Sequence, residues 1–218
     1  MKLHTIHTGN FKLDGGAMFG VVPKSLWSSK IPADDNNLCT WALRCMLVED
    51  GNRLMLIDTG IGDKQDAKFF GHYDLHNMQD LESALNQKGF TCADVSDVFL
   101  THLHFDHCGG AVKRNANGTL VPVFTNATYW SNEAHWKWAT EPNPREKASF
   151  LKENILPIQE SGQLKFIPNN NWISEHVFPN MDVLFANGHT EAQMLPILNY
   201  KGEKIVFCAD LLPSFAHL

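Results

Sequence analysis

Apolar and polar positions alternate through Lys2-Leu3-His4-Thr5-Ile6-His7-Thr8, a period of two that predicts an opening strand. The glycines of "DGGAMFGVV" predict a bend after it. Two apolar runs, "TWALRCMLVED" and "NRLMLIDTG", flank Asp50-Gly51-Asn52 and read as a hairpin. Leu75, Met78, Leu81 and Leu85 recur at helical spacing, so a helix is expected from about Leu75 to Lys88, with Gly89 at its C-cap. "SDVFLTH" and "LVPVFTNATYW" read as strands. Ser131 or Asn132 is placed to cap a short helix through Trp138. "EPNPRE" breaks the chain, and a helix is expected over 145–155. "MDVLFANG", "QMLPILNY" and "KIVFCAD" return to strands, the last two joined at a Lys201-Gly202 turn. Strand groups with helices between them imply an α/β layered architecture with mixed sheets. No internal repeat intervenes, and 218 residues suit a single domain, 1–218.

Charge and cysteine content narrow the setting. A formal net charge of −6 excludes a basic nucleic-acid footprint and a polybasic membrane patch. No apolar signal region follows Met1, and no apolar run is long enough to span a bilayer. The five cysteines are odd in number and include no CxxC pair, so reduced thiols in a cytoplasmic protein are expected.

The chemistry concentrates in "FLTHLHFDHCGG", residues 99–110. His102, His104 and His107 share six residues with Asp106. Histidines at i and i+2 suit an extended segment, where both rings project to one side. A helical zinc site spaces them at i and i+4. A bend after His104 turns Asp106 and His107 toward a second point close by, and Gly109 and Gly110 permit a tight backbone turn there. Imidazole and carboxylate are ligands of zinc and similar first-row metals. His102 and His104 alone under-ligate an ion. Partners are therefore sought at other strand ends, which offer His189 in "NGHTEAQ" and Asp210 in "VFCAD". Four ligand-type residues in one loop rarely arise from packing. The isolated His4, His7, His72, His76, His135 and His176 read as ordinary polar side chains, and Cys108 as a small packing residue.

HxHxDH with its two glycines, Gly-His-Thr at 188–190, the strand-ending Asp210 and "IDTG" at 57–60 together resemble the metallo-β-lactamase-fold hydrolases, from about residue 40 to residue 210. The N-terminal "FKLDGGAMFGVVPKSLW" is similar to the opening of the lactonase-like branch, which includes quorum-quenching lactonases and the methyl-parathion-hydrolase type. The resemblance implies a four-layer αβ/βα sandwich with two divalent metal ions at one edge. Zinc is foremost, with manganese, iron or cobalt as alternatives. His102, His104 and His189 would hold the first ion, Asp106 and His107 the second, and Asp210 would bridge them. Asp58 would orient a ligand histidine through its other ring nitrogen. A metal-bound hydroxide would attack a lactone or related ester, and Asp106 would carry a proton to the leaving group. Met18 and Phe19 would form part of an apolar substrate wall. Trp130, Trp136 and Trp138 would form another, although they fit helix-face packing at least as well.

Two departures qualify this picture. Family members place one more histidine tens of residues after the bridging aspartate, whereas only eight residues follow Asp210 here. His217 is the sole histidine among them and does not stand at the family spacing. The expectation is a C-terminally truncated domain, its second half lacking a strand and helix and its second site weak or empty. Leu211, Leu212 and Pro213 stand where some lactonases carry a substrate-binding tyrosine. Competing readings are a glyoxalase-II-like thioesterase, a phosphotriesterase, and a truncated metal-binding protein without turnover. A small-molecule substrate is the expected partner, with neither nucleic acid nor membrane, and a homodimer is admitted.

Overall fold

In the computed structural model, which describes residues 1–218, the chain opens on a long antiparallel pair. β1 (Lys2–Asp14) lies against β2 (Leu38–Asp50). Two short helices, α1 (Gly15–Phe19) and α2 (Lys24–Trp27), fill the connection. Asp14 accepts the Gly16 and Ala17 N–H groups, and this cap turns the expected bend into a helical turn. Along β2, Cys39, Trp41, Leu43, Cys45 and Leu47 are buried while Thr40 and Arg44 are exposed, the pattern of a strand with one covered face. Gly51 and Asn52 close the predicted hairpin to β3 (Arg53–Ile57).

The next segment holds less helix than its spacing predicts. α3 (Ala67–Phe70) is a single turn, and α4 spans only Leu81–Asn86. Asp74 and Asn77 adopt φ of 41° and 51°, which a right-handed helix cannot contain, and the Asp80 side chain caps α4 by accepting the Ser83 N–H. Leu75 still finds apolar cover, beside Phe11, Trp27 and Trp41.

β4 (Asp97–Phe99) runs parallel to β3 and feeds the histidine loop, which turns into α5 (Phe105–Cys108). The single strand expected over 120–130 is divided. β5 (Val112–Arg114) and β6 (Leu120–Pro122) make a small hairpin, and β7 (Thr128–Ser131) joins the main sheet. α6 (Glu133–Thr140) starts on Asn132, whose side chain accepts the His135 N–H. The helix expected over 145–155 begins later, because Asn143 accepts the Glu146 N–H and holds a turn there; α7 runs Lys152–Glu160. β8 (Leu164–Phe166) completes a sheet ordered β1-β2-β3-β4-β7-β8. β9 (Ile173–Phe178), β10 (Met181–Ala186), β11 (Gln193–Tyr200) and β12 (Glu203–Val206) form an antiparallel sheet ordered β12-β11-β10-β9.

Two cores fix the layers. Leu47, Leu56 and Val98 of the first sheet meet Leu85 of α4, Trp136 of α6 and Ile158 of α7. On the opposite face, Met55, Ile57 and Phe99 meet Val183, Phe185, Met194 and Leu198 of the second sheet. β3 and β4 are thus covered on both sides, which is why their sequences are nearly continuous apolar runs. Each such side chain, fully buried, stabilises the fold by roughly 1.5–3 kcal/mol. The loop leaving β4 therefore starts from the best-anchored part of the molecule, and the Met194 N–H ties it to the second sheet by donating to Thr101 O at 2.8 Å. No helix is long and apolar enough to cross a membrane.

Candidate metal centre

Past Phe99 the backbone stays extended to His104 and then coils into α5. His102 and His104 consequently face one region, their ring centroids 4.6 Å apart, and His107 comes within 4.0 Å of His102. Gly109 and Gly110 are needed for a reason other than turning: their φ is not left-handed. A Cβ on Gly109 would lie 2.0 Å from Ile61 O, and one on Gly110 would lie 2.1 Å from Thr59 O. The "IDTG" segment packs backbone to backbone on the histidine loop, with the Thr59 N–H donating to His107 O at 2.7 Å and the Gly110 N–H to Gly60 O at 3.0 Å.

That contact delivers Asp58, which is buried and in a left-handed conformation (φ 58°). Its Oδ1 accepts the Thr101 N–H at 2.8 Å, and its Oδ2 accepts both the Thr101 hydroxyl and His107 Nδ1–H at 2.8 Å. Since the Thr101 proton is committed to Asp58, Thr101 Oγ1 accepts from His102 Nδ1, 3.1 Å away. One carboxylate thus orients two rings, and the Nε2 of each is turned toward the other ligand-type side chains. Asp58 stands in the "IDTG" motif, whereas nothing in the sequence marks the relay through Thr101.

The free atoms converge. His102 Nε2 is buried without a hydrogen-bond partner and lies 3.9 Å from Asp210 Oδ2. His189 Nε2 is 3.2 Å from the same oxygen and 3.0 Å from His104 Nδ1. His107 Nε2 is 3.2 Å from Asp210 Oδ1 and 3.6 Å from Asp106 Oδ2. Ligand-type atoms of His102, His104 and His189 lie within 4.8 Å of one another, and so do those of His102, His107 and Asp210. The structure therefore gathers all six residues singled out from the sequence, with Asp210 between the two groups and Asp106 at the edge of the second.

The electrostatics follow from crowding. Burial, then the charges of His107 and His104, push the His102 pKa well below the ordinary imidazole value; burial also lowers that of His189. Burial also opposes a charge on His107, but Asp210, Asp106 and Asp58 outweigh it and hold its pKa well above that value. Asp210 is desolvated too, and His107, by charge and hydrogen bond, overrides this and keeps the carboxyl well below the usual carboxylate range. A buried lone-pair donor with no partner, converging imidazoles and an ionised carboxylate between them form a donor set suited to divalent cations.

Two further residues escaped sequence reading. His135 bridges the ligand-bearing loops: its Nε2 accepts the Leu103 N–H at 2.9 Å and its Nδ1–H donates to Glu191 O at 2.6 Å. Burial holds its pKa down at about 4. Glu146 places Oε2 3.9 Å from His104 Nε2. Neither residue stands in a motif. The only signal was their chemistry, which five other isolated histidines shared in the case of His135.

A cavity of about 620 Å³ opens over the cluster, its wall including Phe11, Met18, Ile31, Trp41, Tyr73 and Phe105. Met18 lines it as expected. Phe19 does not: it is buried and stacked between Trp27 and His217, with centroid distances of 4.8 and 4.6 Å. His217 is engaged elsewhere, with Nε2 3.1 Å from Met18 O and Nδ1 2.9 Å from Ser214 Oγ. The three tryptophans lie off the cavity wall: Trp136 is core, Trp130 donates to Asp97 Oδ1 and Trp138 to Glu146 Oε2.

A layered α/β sandwich with a histidine–aspartate cluster at its strand ends is the architecture of a known class of metalloproteins. The model of the metallo-beta-lactamase superfamily matches residues 43–218, and the chain belongs to that superfamily. An N-acyl homoserine lactonase of Bacillus thuringiensis is 25% identical over 199 residues, covering 87% of this chain; the match spans 66% of the lactonase's own length. One from Bacillus cereus is 26% identical over 220 residues, covering 96% of this chain and 75% of the lactonase. Among solved structures, a probable metal-dependent hydrolase from Staphylococcus aureus superposes with a TM-score of 0.88 at 28% identity, over 99% of this chain and 75% of that one. A dizinc quorum-quenching lactonase solved with a product gives a TM-score of 0.74 at 22% identity, over 96% of this chain and 71% of that one, a likeness of fold.

Proposed function

We propose that this chain is a divalent-metal-dependent hydrolase that opens a lactone or related ester. The observation that carries the reading is the convergence of His102 Nε2, His104 Nδ1, His189 Nε2 and the Asp210 carboxylate on one point beneath an apolar cavity. These four would hold the first ion. His107, Asp106 and Asp210 would hold a second, with fewer donors and hence lower affinity. Zinc suits the imidazole-carboxylate set. Bound there, the ions would supply Lewis acidity toward a carbonyl oxygen and lower the pKa of water toward about 7.

The chain's own residues do the rest. Asp58 and Thr101 engage the Nδ1–H of His107 and His102, so Nε2 is the atom each ring would offer to an ion. Asp106, on the cavity lining, carries a proton to the departing alkoxide. Tyr73 is the one phenol on that lining; burial, then the charge of Asp106, raise its pKa, so it keeps its proton and donates to a substrate oxygen. This supplies a hydroxyl although Leu211, Leu212 and Pro213 follow the aspartate. The apolar wall accommodates a hydrocarbon substituent and excludes water from the reacting ester. Arg44 is the only Lys or Arg on the lining, which favours a neutral substrate over an anionic thioester.

Proton release from a panel of lactones, esters, thioesters and phosphotriesters tests the reading, using the zinc-loaded chain with and without a chelator. Turnover fastest on a lactone or ester and abolished by chelation is expected. Chelator-insensitive turnover, or none on any lactone or ester, would refute it.

A further inference from the structure

Glu146 lies on the turn between α6 and α7, far in sequence from the histidine motif. Asn143 Oδ1 fixes its backbone by accepting the Glu146 N–H at 3.0 Å. Its carboxylate is largely buried, with 12% side-chain exposure. Oε2 accepts the Thr190 hydroxyl at 2.7 Å and Trp138 Nε1–H at 3.0 Å, while Asn143 Nδ2 approaches Oε1 at 3.4 Å. Every one of these donors is neutral, and no lysine or arginine pairs with Glu146. A desolvated carboxylate without a cation is costly, and neutral donors offset that cost only in part.

The missing positive charge is indicated by His104. Its Nδ1 faces His189, 3.0 Å away, and its Nε2 is buried without a hydrogen-bond partner, 3.9 Å from Glu146 Oε2. For Nδ1 to offer a lone pair, the ring proton must sit on Nε2, where Glu146 is the facing acceptor. Thr190, held by the same oxygen, is the immediate neighbour of His189. One carboxylate therefore touches both segments that bring histidines to the first ion.

Building on the metal-dependent reading above, we propose that Glu146 is the positioning residue of the first cation site. It fixes His104 as the Nε2–H tautomer, aims Nδ1 at the ion, and balances the ion's charge through the ring.

Zinc affinity, measured by competition with a chelating dye, tests this in the wild-type chain, Glu146→Gln and Thr190→Val. The Thr190 variant keeps the carboxylate and removes one of its neutral donors. Glu146→Gln should weaken the tighter zinc about 10- to 100-fold, the usual effect of losing such a partner. Thr190→Val should change it by less than about threefold. Long-range proton–nitrogen NMR of the metal-free wild type should show His104 as the Nε2–H tautomer, a readout that stands even if Glu146→Gln does not fold. Unchanged affinity in Glu146→Gln, or a Nδ1–H tautomer at His104, overturns the proposal while leaving the metal reading intact. If the wild type takes up no zinc, the metal reading itself fails and this inference falls with it.

Discussion

Replacing Asp58 by asparagine removes a charge and an acceptor while preserving size. It also preserves the backbone, because asparagine tolerates the left-handed conformation that Asp58 adopts at φ 58°. With Oδ1 still accepting the Thr101 N–H, the new amide NH₂ stands where Oδ2 met the Thr101 hydroxyl and His107 Nδ1–H. Thr101 can rotate its proton away and accept from the amide. His107 cannot adapt without giving up the Nδ1–H that turns Nε2 toward Asp210. One charge-assisted hydrogen bond is therefore lost outright, and a buried donor is left facing a donor, a loss of about 2–3 kcal/mol. For a chain of this size that lowers the thermal midpoint by roughly 4–12 °C. Thermal and urea unfolding of the metal-free Asp58→Asn chain would measure the first effect, and zinc titration would measure weaker uptake at the His107 position. A loss under about 0.5 kcal/mol together with unchanged zinc uptake would refute the orienting role of Asp58.

Gly110→Ala puts a Cβ 2.1 Å from Thr59 O, so the "IDTG" segment must lift off the histidine loop. The expected cost is about 1–3 kcal/mol or more with impaired zinc uptake, and wild-type stability in urea would contradict it. His135 must stay neutral to accept the Leu103 N–H, and its folded pKa of about 4 lies below the ordinary 6.5. Its contribution is present above pH 6.5 and lost as pH falls toward 4, up to about 3 kcal/mol in the metal-free chain. His135→Gln, which retains an acceptor without the proton uptake, should flatten that acid limb; an identical slope argues against it. Tyr73→Phe should lower kcat on a lactone about 10-fold with little change in stability, and unaltered kinetics would remove Tyr73 from the reaction.

The parts of the centre that could be read from the sequence are those where chemistry is local. His102, His104, Asp106 and His107 sit in one loop, and His189 and Asp210 each follow an apolar run, so residue type and position single them out as candidates. Thr101, His135 and Glu146 act across the fold, and nothing near them in sequence marks the ring or backbone group they meet. The same division holds for the architecture. The β2–β3 hairpin follows from a turn spacer between two apolar runs. The overlong helix from Leu75 fails because Asp74 and Asn77 take left-handed backbone conformations that apolar spacing does not register. Phe19 shows the limit for apolar residues: neighbouring Met18 faces the cavity while Phe19 stacks in the core, and composition cannot separate them.

Metal content, read by mass spectrometry after dialysis of the zinc-loaded chain against a weak chelator, tests whether the histidine–aspartate cluster holds an ion. Wild-type protein should retain zinc, whereas His102→Ala, which deletes the buried Nε2 without a hydrogen-bond partner, should not. A wild-type chain that emerges free of metal, or retention indifferent to His102→Ala, would contradict it.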